Sequence, residues 1–276
     1  MVGGKISGNI ASDRSGGGVY VMTDGTFTME DGEISENEAS SGGGVYVGSS
    51  GTFTMEGGKI SGNTAFDYGG GGVIILNEGI FTMTNGEISG NTANDEYGGG
   101  VYITGNGTFA MTNSKISLNT AFSSGGGVYA AGGGTFTMEG GEISGNTVTT
   151  TSSSGGGVYI AANGTFTLNG AARINSNNPV CLGSYNTVTH SAITIGGDFT
   201  GSGTVATIDL FAMASVLSWS GKAILTPAAD YSGSLSAIKS HFTLGNFISG
   251  VTAPYTFTPI TGYEIGDDGK LTAEAP

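Results

Sequence analysis

Residues 42–63 read GGGVYVGSSGTFTMEGGKISGN, and this run decides the fold. It holds three short alternating stretches: Val45-Tyr46-Val47, Thr52-Phe53-Thr54-Met55 and Lys59-Ile60-Ser61. Gly and Ser separate them. Short β-rich stretches between turn residues predict strands, not helices. The run also recurs. Gly-Gly-Gly-Val begins at Gly16, Gly42, Gly70, Gly98, Gly125 and Gly155, at spacings of 26, 28, 28, 27 and 30.

The inner spacing is stiffer than the total. Val to Phe is eight residues in every unit, from Val19–Phe27 to Val158–Phe166. Phe to Ile is seven in five units and eight in the last, and Ile to Asn is three, ending at Asn37, Asn63, Asn91, Asn119, Asn146 and Asn177. A partial unit, Lys5 to Asn9, precedes the first full one. All remaining variation lies between that Asn and the next Gly triplet, in residues 38–41, 64–69, 92–97, 120–124 and 147–154. A constant unit with insertions at one place is the mark of a solenoid.

These observations predict an all-β, right-handed parallel β-helix: a single-stranded solenoid with about three short strands per coil of 26–30 residues and a roughly triangular section. Alternation assigns the faces. Val, Phe, Met and Ile point inward as stacked columns. Tyr20, Thr26, Thr28 and Glu33 point outward. Residues 1–178 form the regular coils, six full repeats plus the partial one. Residues 179–276 keep apolar runs without the period and are expected to form degenerate coils and a C-terminal cap, with one short helix over 234–241.

Composition narrows the classes of function. Gly occurs 54 times, but without a Gly-X-Y period and beside only five Pro, so collagen is excluded. The formal charge of −14 argues against nucleic acid and anionic membranes as partners. Cys181 is the single cysteine, so no disulfide framework is available. No stretch is long and apolar enough for a transmembrane segment, and the start lacks signal-peptide character, so the chain reads as a piece of a longer protein.

The Gly17-Gly18-Val19-Tyr20 and Ile34-Ser35-Glu36-Asn37 motifs and their copies resemble the repeats of polymorphic outer-membrane proteins, and the overall style, with GNFISG (245–250) and GYEIGDDGKL (262–271) near the end, is similar to repeat-rich surface proteins of host-associated bacteria such as spirochaetes. The resemblance covers residues 4–178. It implies a non-enzymatic adhesin or interaction domain, secreted or on the bacterial cell surface, and identifies no ligand; the partner expected for the Tyr stripe and variable loops is a glycan or host surface protein.

The candidate binding stripe is the Tyr column beside the variable loops: Tyr20, Tyr46, Tyr102, Tyr129 and Tyr159, with Ile74 in the gap. Aromatic stripes anchor sugars and proteins. Two alternatives carry residues of their own. The outward pairs Thr26/Thr28, Thr52/Thr54, Thr135/Thr137 and Thr165/Thr167 resemble the Thr-x-Thr face of ice-binding β-solenoids, with Ile80 and Ala110 interrupting. A polysaccharide lyase or glycoside hydrolase of the pectin-lyase-like type would need clustered acids with Arg or Lys. Arg14 and Arg173 lie far apart, His190 and His241 are isolated, and Asp267-Asp268 reads as a turn. No cofactor or metal motif is present. Asp13, Asp67, Asp95 and Glu96 are loop acids, read as solvated charge rather than calcium ligands.

The residue before each core Ile runs Lys5, Glu33, Lys59, Glu87, Lys115, Glu142, Arg173, alternating in sign throughout. Stacked outward, it forms a structural charge ladder that opposes a slip of one coil.

Overall fold

The computed structural model describes residues 1–274 apart from 151–154, 162, 176, 184–189, 198, 213–221, 250–255 and 262. The last four positions of the 147–154 loop therefore lie outside the described residues.

The chain is an all-β parallel solenoid. Its strands fall into four main sheets, each taking one strand per coil. The Ile sheet has seven strands, from Val2–Ser7 to Arg173–Ile174. The Val–Tyr sheet starts at Val19–Val21 and the Phe–Met sheet at Thr26–Met29. These carry the three strands per coil expected from the alternation. The fourth, the Ala sheet, runs from Ile10–Ser15 through two-residue rungs such as Thr64–Ala65, Thr92–Ala93 and Thr120–Ala121 to Thr147–Val148.

The section therefore has four sheet-bearing sides, not three. The extra side comes from the residues just after the Asn, at the start of the variable interval. Ala39, Ala65, Ala93 and Ala121 point inward there and are buried. A two-residue rung shows no alternation, so only this column of small residues betrays it.

Like stacks on like throughout. The parallel registers pair Val45 with Val73 and Val101, Phe53 with Phe81 and Phe109, and Ile60 with Ile88 and Ile116. Phe53, Phe81, Phe109, Phe136 and Phe166 are fully buried, with ring centroids 4.6–5.2 Å apart along the column. A buried Phe or Met contributes about 1.5–3 kcal/mol relative to exposure. Each coil repeats that gain while touching only its neighbours.

The corners are built from backbone that needs particular residues. Gly42 opens its triplet at φ 61, and a Cβ on Gly43 would strike the Thr64 carbonyl of the next coil. The turn before Phe53 works differently. Gly51 has an ordinary φ but passes too close to the Val21 and Gly48 carbonyls for a side chain, while Ser49 and Ser50 take the left-handed conformation at φ 49 and 60.

One column is polar and buried. Asn37, Asn63, Asn91, Asn119, Asn146 and Asn178 lie inside the corner between the Ile and Ala sheets. Each Nδ2 donates to the next Oδ1 at 2.9–3.0 Å, and that oxygen also accepts the backbone N–H of the same Asn that donates. From Asn37 to Asn146 each Nδ2 also donates to an Ile carbonyl, as Asn91 does to Ile60 at 3.0 Å. The last rung corrects the expected position. Asn178, not Asn177, accepts from Asn146, because the final coil is longer on both sides of Ile174.

Past Asn178 two sheets run on. Val180–Gly183 and Ala206–Ala212 extend the Val–Tyr sheet, and Ile193–Ile195 and Leu225–Pro227 extend the Phe–Met sheet. The parallel pattern ends where Thr256–Pro259 pairs antiparallel with Phe242–Ser249. A hairpin of Tyr263–Ile265 and Leu271–Ala273 buries Leu271 beside Leu225 and Leu235 in the same core. The short helix over 234–241 is one α-turn, Leu235–Ile238, followed by a 3-10 turn, Lys239–His241.

Candidate functional site

The charge ladder lies in register along the Ile sheet. The backbone pairs Lys5 with Glu33, Glu33 with Lys59, Lys59 with Glu87, Glu87 with Lys115, Lys115 with Glu142, and Glu142 with Arg173. Only alternate steps at one end close into salt bridges, Lys5–Glu33 and Lys59–Glu87, both at 3.4 Å. Ser61 donates to the other carboxylate oxygen of Glu33 at 3.2 Å, on the side away from Lys5. The Ser35 and Ser89 hydroxyls beside them, with help from the neighbouring Lys charges, hold Glu33 and Glu87 below the usual carboxylate range; burial opposes this with less effect than the hydroxyls and more than a single Lys charge.

Stability from these two carboxylates is therefore present above the ordinary pKa and lost as pH falls through the depressed values. Glu87→Lys sets three cations in a row. We expect a loss of about 1 kcal/mol, read as a lower melting temperature that recovers with salt. A melting temperature independent of salt would show that these charges do not interact.

The Tyr column lies on the outer face of the Val–Tyr sheet. Register joins Tyr20, Tyr46, Ile74, Tyr102, Tyr129 and Tyr159, and continues into Cys181 and Asp209. Tyr20 stacks on Tyr46 at 4.7 Å and Tyr129 on Tyr159 at 5.1 Å, with interplanar angles of 22° and 10°. Tyr102 does not join the stack. It stands edge-on to Tyr129 at 79°, and Tyr97 stacks on Tyr129 in its place at 4.3 Å.

Tyr97 was not among the residues the repeat spacing selects. It lies in the variable interval of its coil, where position carries no periodic signal. Stacked rings give their faces to each other, so the inner members of the row present mainly edges and hydroxyls. Burial raises the pKa of Tyr46 and Tyr102 above the usual phenol value. The neighbouring Tyr20 adds to the effect at Tyr46, and Glu96 does so at Tyr102.

The corner inserts hold further aromatic residues. Phe66, Tyr68 and Phe122 are 37%, 62% and 43% exposed, and Leu118 is 67% exposed in the left-handed backbone that Gly62 and Gly90 occupy in other coils. Phe66, Asn94 and Phe122 form one row. Their backbone N–H groups donate to Ala39, Ala65 and Ala93 at 2.9–3.0 Å. Sequence reasoning marked these inserts as variable but did not single out their rings.

The Thr face lies on the Phe–Met sheet. One column reads Thr28, Thr54, Thr82, Ala110, Thr137, Thr167, Thr194 and Thr226. The other reads Thr26, Thr52, Ile80, Thr108, Thr135 and Thr165. The breaks at Ile80 and Ala110 fall in adjacent coils, in the middle of the face.

The remaining polar candidates are not brought together. Asp267 pairs with Lys239 and Asp268 with Lys270, both at 2.8 Å. His241 Nδ1 lies 2.7 Å from the Gly203 carbonyl. Arg14 is on the Ala sheet and Arg173 on the Ile sheet. Among the described residues, no three His, Cys, Asp or Glu side chains are placed to hold a metal ion, and no helix is long and apolar enough to cross a membrane.

A family model described as the right-handed beta helix region matches residues 2–148, just over half of the chain. The chain therefore belongs to this right-handed β-helix family. Comparison with curated proteins and with solved structures gives no significant match. The fold is one that serves both pectin-lyase-like enzymes and adhesin-like proteins.

Proposed function

We propose that this chain is a non-enzymatic interaction domain, of adhesin type, displayed on a bacterial surface or secreted. It binds a glycan or a host surface protein at the corner between the Ala and Val–Tyr sheets. One observation carries the reading. The core columns are nearly invariant from coil to coil, while the single variable corner holds exposed Phe66, Tyr68 and Phe122 beside the Tyr row. A rigid scaffold with variation and exposed rings at one place is how repeat folds build binding surfaces.

Removing the stacked Tyr residues would disturb the sheet as well as the surface. The better test replaces the exposed rings. The triple variant Phe66→Ser/Tyr68→Ser/Phe122→Ser keeps every core column. On glycan and matrix-protein arrays it is expected to lose at least about tenfold in signal against the parent chain, with an unchanged far-ultraviolet spectrum. Unaltered binding would place the ligand elsewhere.

A further inference from the structure

The corner that carries the exposed rings is also strongly one-sided in charge. Its inserts contribute Asp67, Asp95 and Glu96. Between residues 38 and 124 the only cations are Lys59 and Lys115, and both belong to the Ile sheet. Among the described residues no salt bridge reaches Asp67, Asp95 or Glu96. Among the described residues the Ser40 hydroxyl, at 2.7 Å, is the one hydrogen-bond donor to the Asp67 carboxylate. Burial, and then the charge of Asp95 beside it, raises the Glu96 pKa above the usual carboxylate value, as expected where like charges meet without a cation.

The acids and rings share a frame. Ala65, Ala93 and Ala121 pair in register, so Phe66 and Phe122 stand two rungs apart, about 10 Å, with Asn94 between them. The acidic inserts follow directly. Ser123 donates its N–H to the Glu96 carbonyl at 2.9 Å, and Tyr97 bridges to Ser124, which ties the inserts of neighbouring coils side by side. The result is a ribbon over three coils that carries exposed rings in its first and third and uncompensated carboxylates in its first and second.

We infer that this ribbon receives a cationic, Arg- or Lys-rich segment of a partner protein. The inference rests on the interaction-domain reading and names its ligand class. An Arg or Lys side chain is apolar along its stem and charged at its head. It can lie along Phe66 or Phe122 and reach Asp67, Asp95 or Glu96. An acidic polysaccharide would meet like charge here. A neutral glycan can stack on the rings and donate hydroxyls to the carboxylates, but it leaves their net charge uncompensated, which a cationic segment does not.

The test uses the whole chain and a fluorescent decapeptide of alternating Arg and Ala, followed by anisotropy at about 50 mM and about 300 mM salt. Asp67→Asn/Asp95→Asn/Glu96→Gln is expected to weaken binding about tenfold or more at low salt. Asp24→Asn/Glu30→Gln/Glu56→Gln, the same change in net charge on exposed acids outside the corner, is expected to leave it within about twofold. Phe66→Ser/Phe122→Ser, with all acids kept, is expected to cost about fivefold. Equal weakening by the two acid triples would mean non-specific attraction and overturn the inference. So would indifference to the loss of the rings.

The two failures can be told apart. If a neutral oligosaccharide binds, loses affinity with the ring triple and ignores the acid triple, the interaction domain stands and its cationic partner falls. If neither peptide nor array ligand responds to any corner variant, both fall.

Discussion

Asn91→Ala is expected to destabilise the protein by about 3–6 kcal/mol. The side chain of Asn91 is fully buried, and three groups depend on it. Its Oδ1 accepts both the backbone N–H and the Nδ2 of Asn63, at 3.0 and 2.9 Å, and its Nδ2 satisfies the Ile60 carbonyl at 3.0 Å. Alanine strands the Asn63 backbone N–H, takes away the Asn91 donor to the Ile60 carbonyl and leaves one of the two Asn63 Nδ2 protons unpaired, the other keeping the Ile34 carbonyl, in a corner that excludes water. Each stranded buried group costs about 1–3 kcal/mol. Asn119 is harmed less, because its Oδ1 keeps the Asn91 backbone N–H. Chemical denaturation of variant and parent would measure the difference. A loss below about 1 kcal/mol would mean that water or a shifted backbone replaces the amide.

Asp209→Asn is expected to have the opposite sign. Asp209 is 4% exposed and follows Tyr159 and Cys181 on the outer face of the Val–Tyr sheet. Its carboxylate accepts the Asn246 N–H at 2.6 Å, yet burial outweighs this and pushes its pKa up to about 6 from an ordinary 3.8. A raised acid favours the folded state only while protonated. That stability is complete below about 3.8 and is lost as pH rises through about 6.

The gap corresponds to about 3 kcal/mol above the upper value. The amide keeps an acceptor for Asn246 and removes the charge. The variant should therefore be the more stable above about pH 7, and its advantage should vanish near pH 4. Glu33 and Glu87 titrate in both proteins, so the difference between the two curves isolates Asp209. Parallel curves across that range would contradict the assignment.

How far the sequence could be read follows from what each residue contributes to the repeat. Val, Phe, Met and Ile recur at fixed spacing because each must land on its own copy one coil away. That constraint made three sheets and the core legible. The Ala sheet escaped because a rung such as Thr64–Ala65 offers one inward residue, too short for alternation. Asn178 escaped because the last coil breaks the spacing that located the other asparagines.

The ladder shows a different limit. Sequence determines which Cβ atoms stack, and the registers place all seven charges in one column. It does not determine whether Glu33 turns to Lys5, to Lys59 or to a Ser hydroxyl. The binding corner was the least legible part. Tyr97, Phe66 and Phe122 lie in the interval where length varies, and nothing there forces a residue to repeat.

The alternating column before each core Ile also imposes a rule of parity on the length of the rod. Removing the single coil that holds Glu87 would bring Lys59 beneath Lys115, and removing the one with Lys115 would bring Glu87 beneath Glu142. Taking out two adjacent coils, or grafting two in, restores opposite signs at the junction. Coils can therefore be cut out of or grafted into the interior of the rod without penalty at this column only in even numbers.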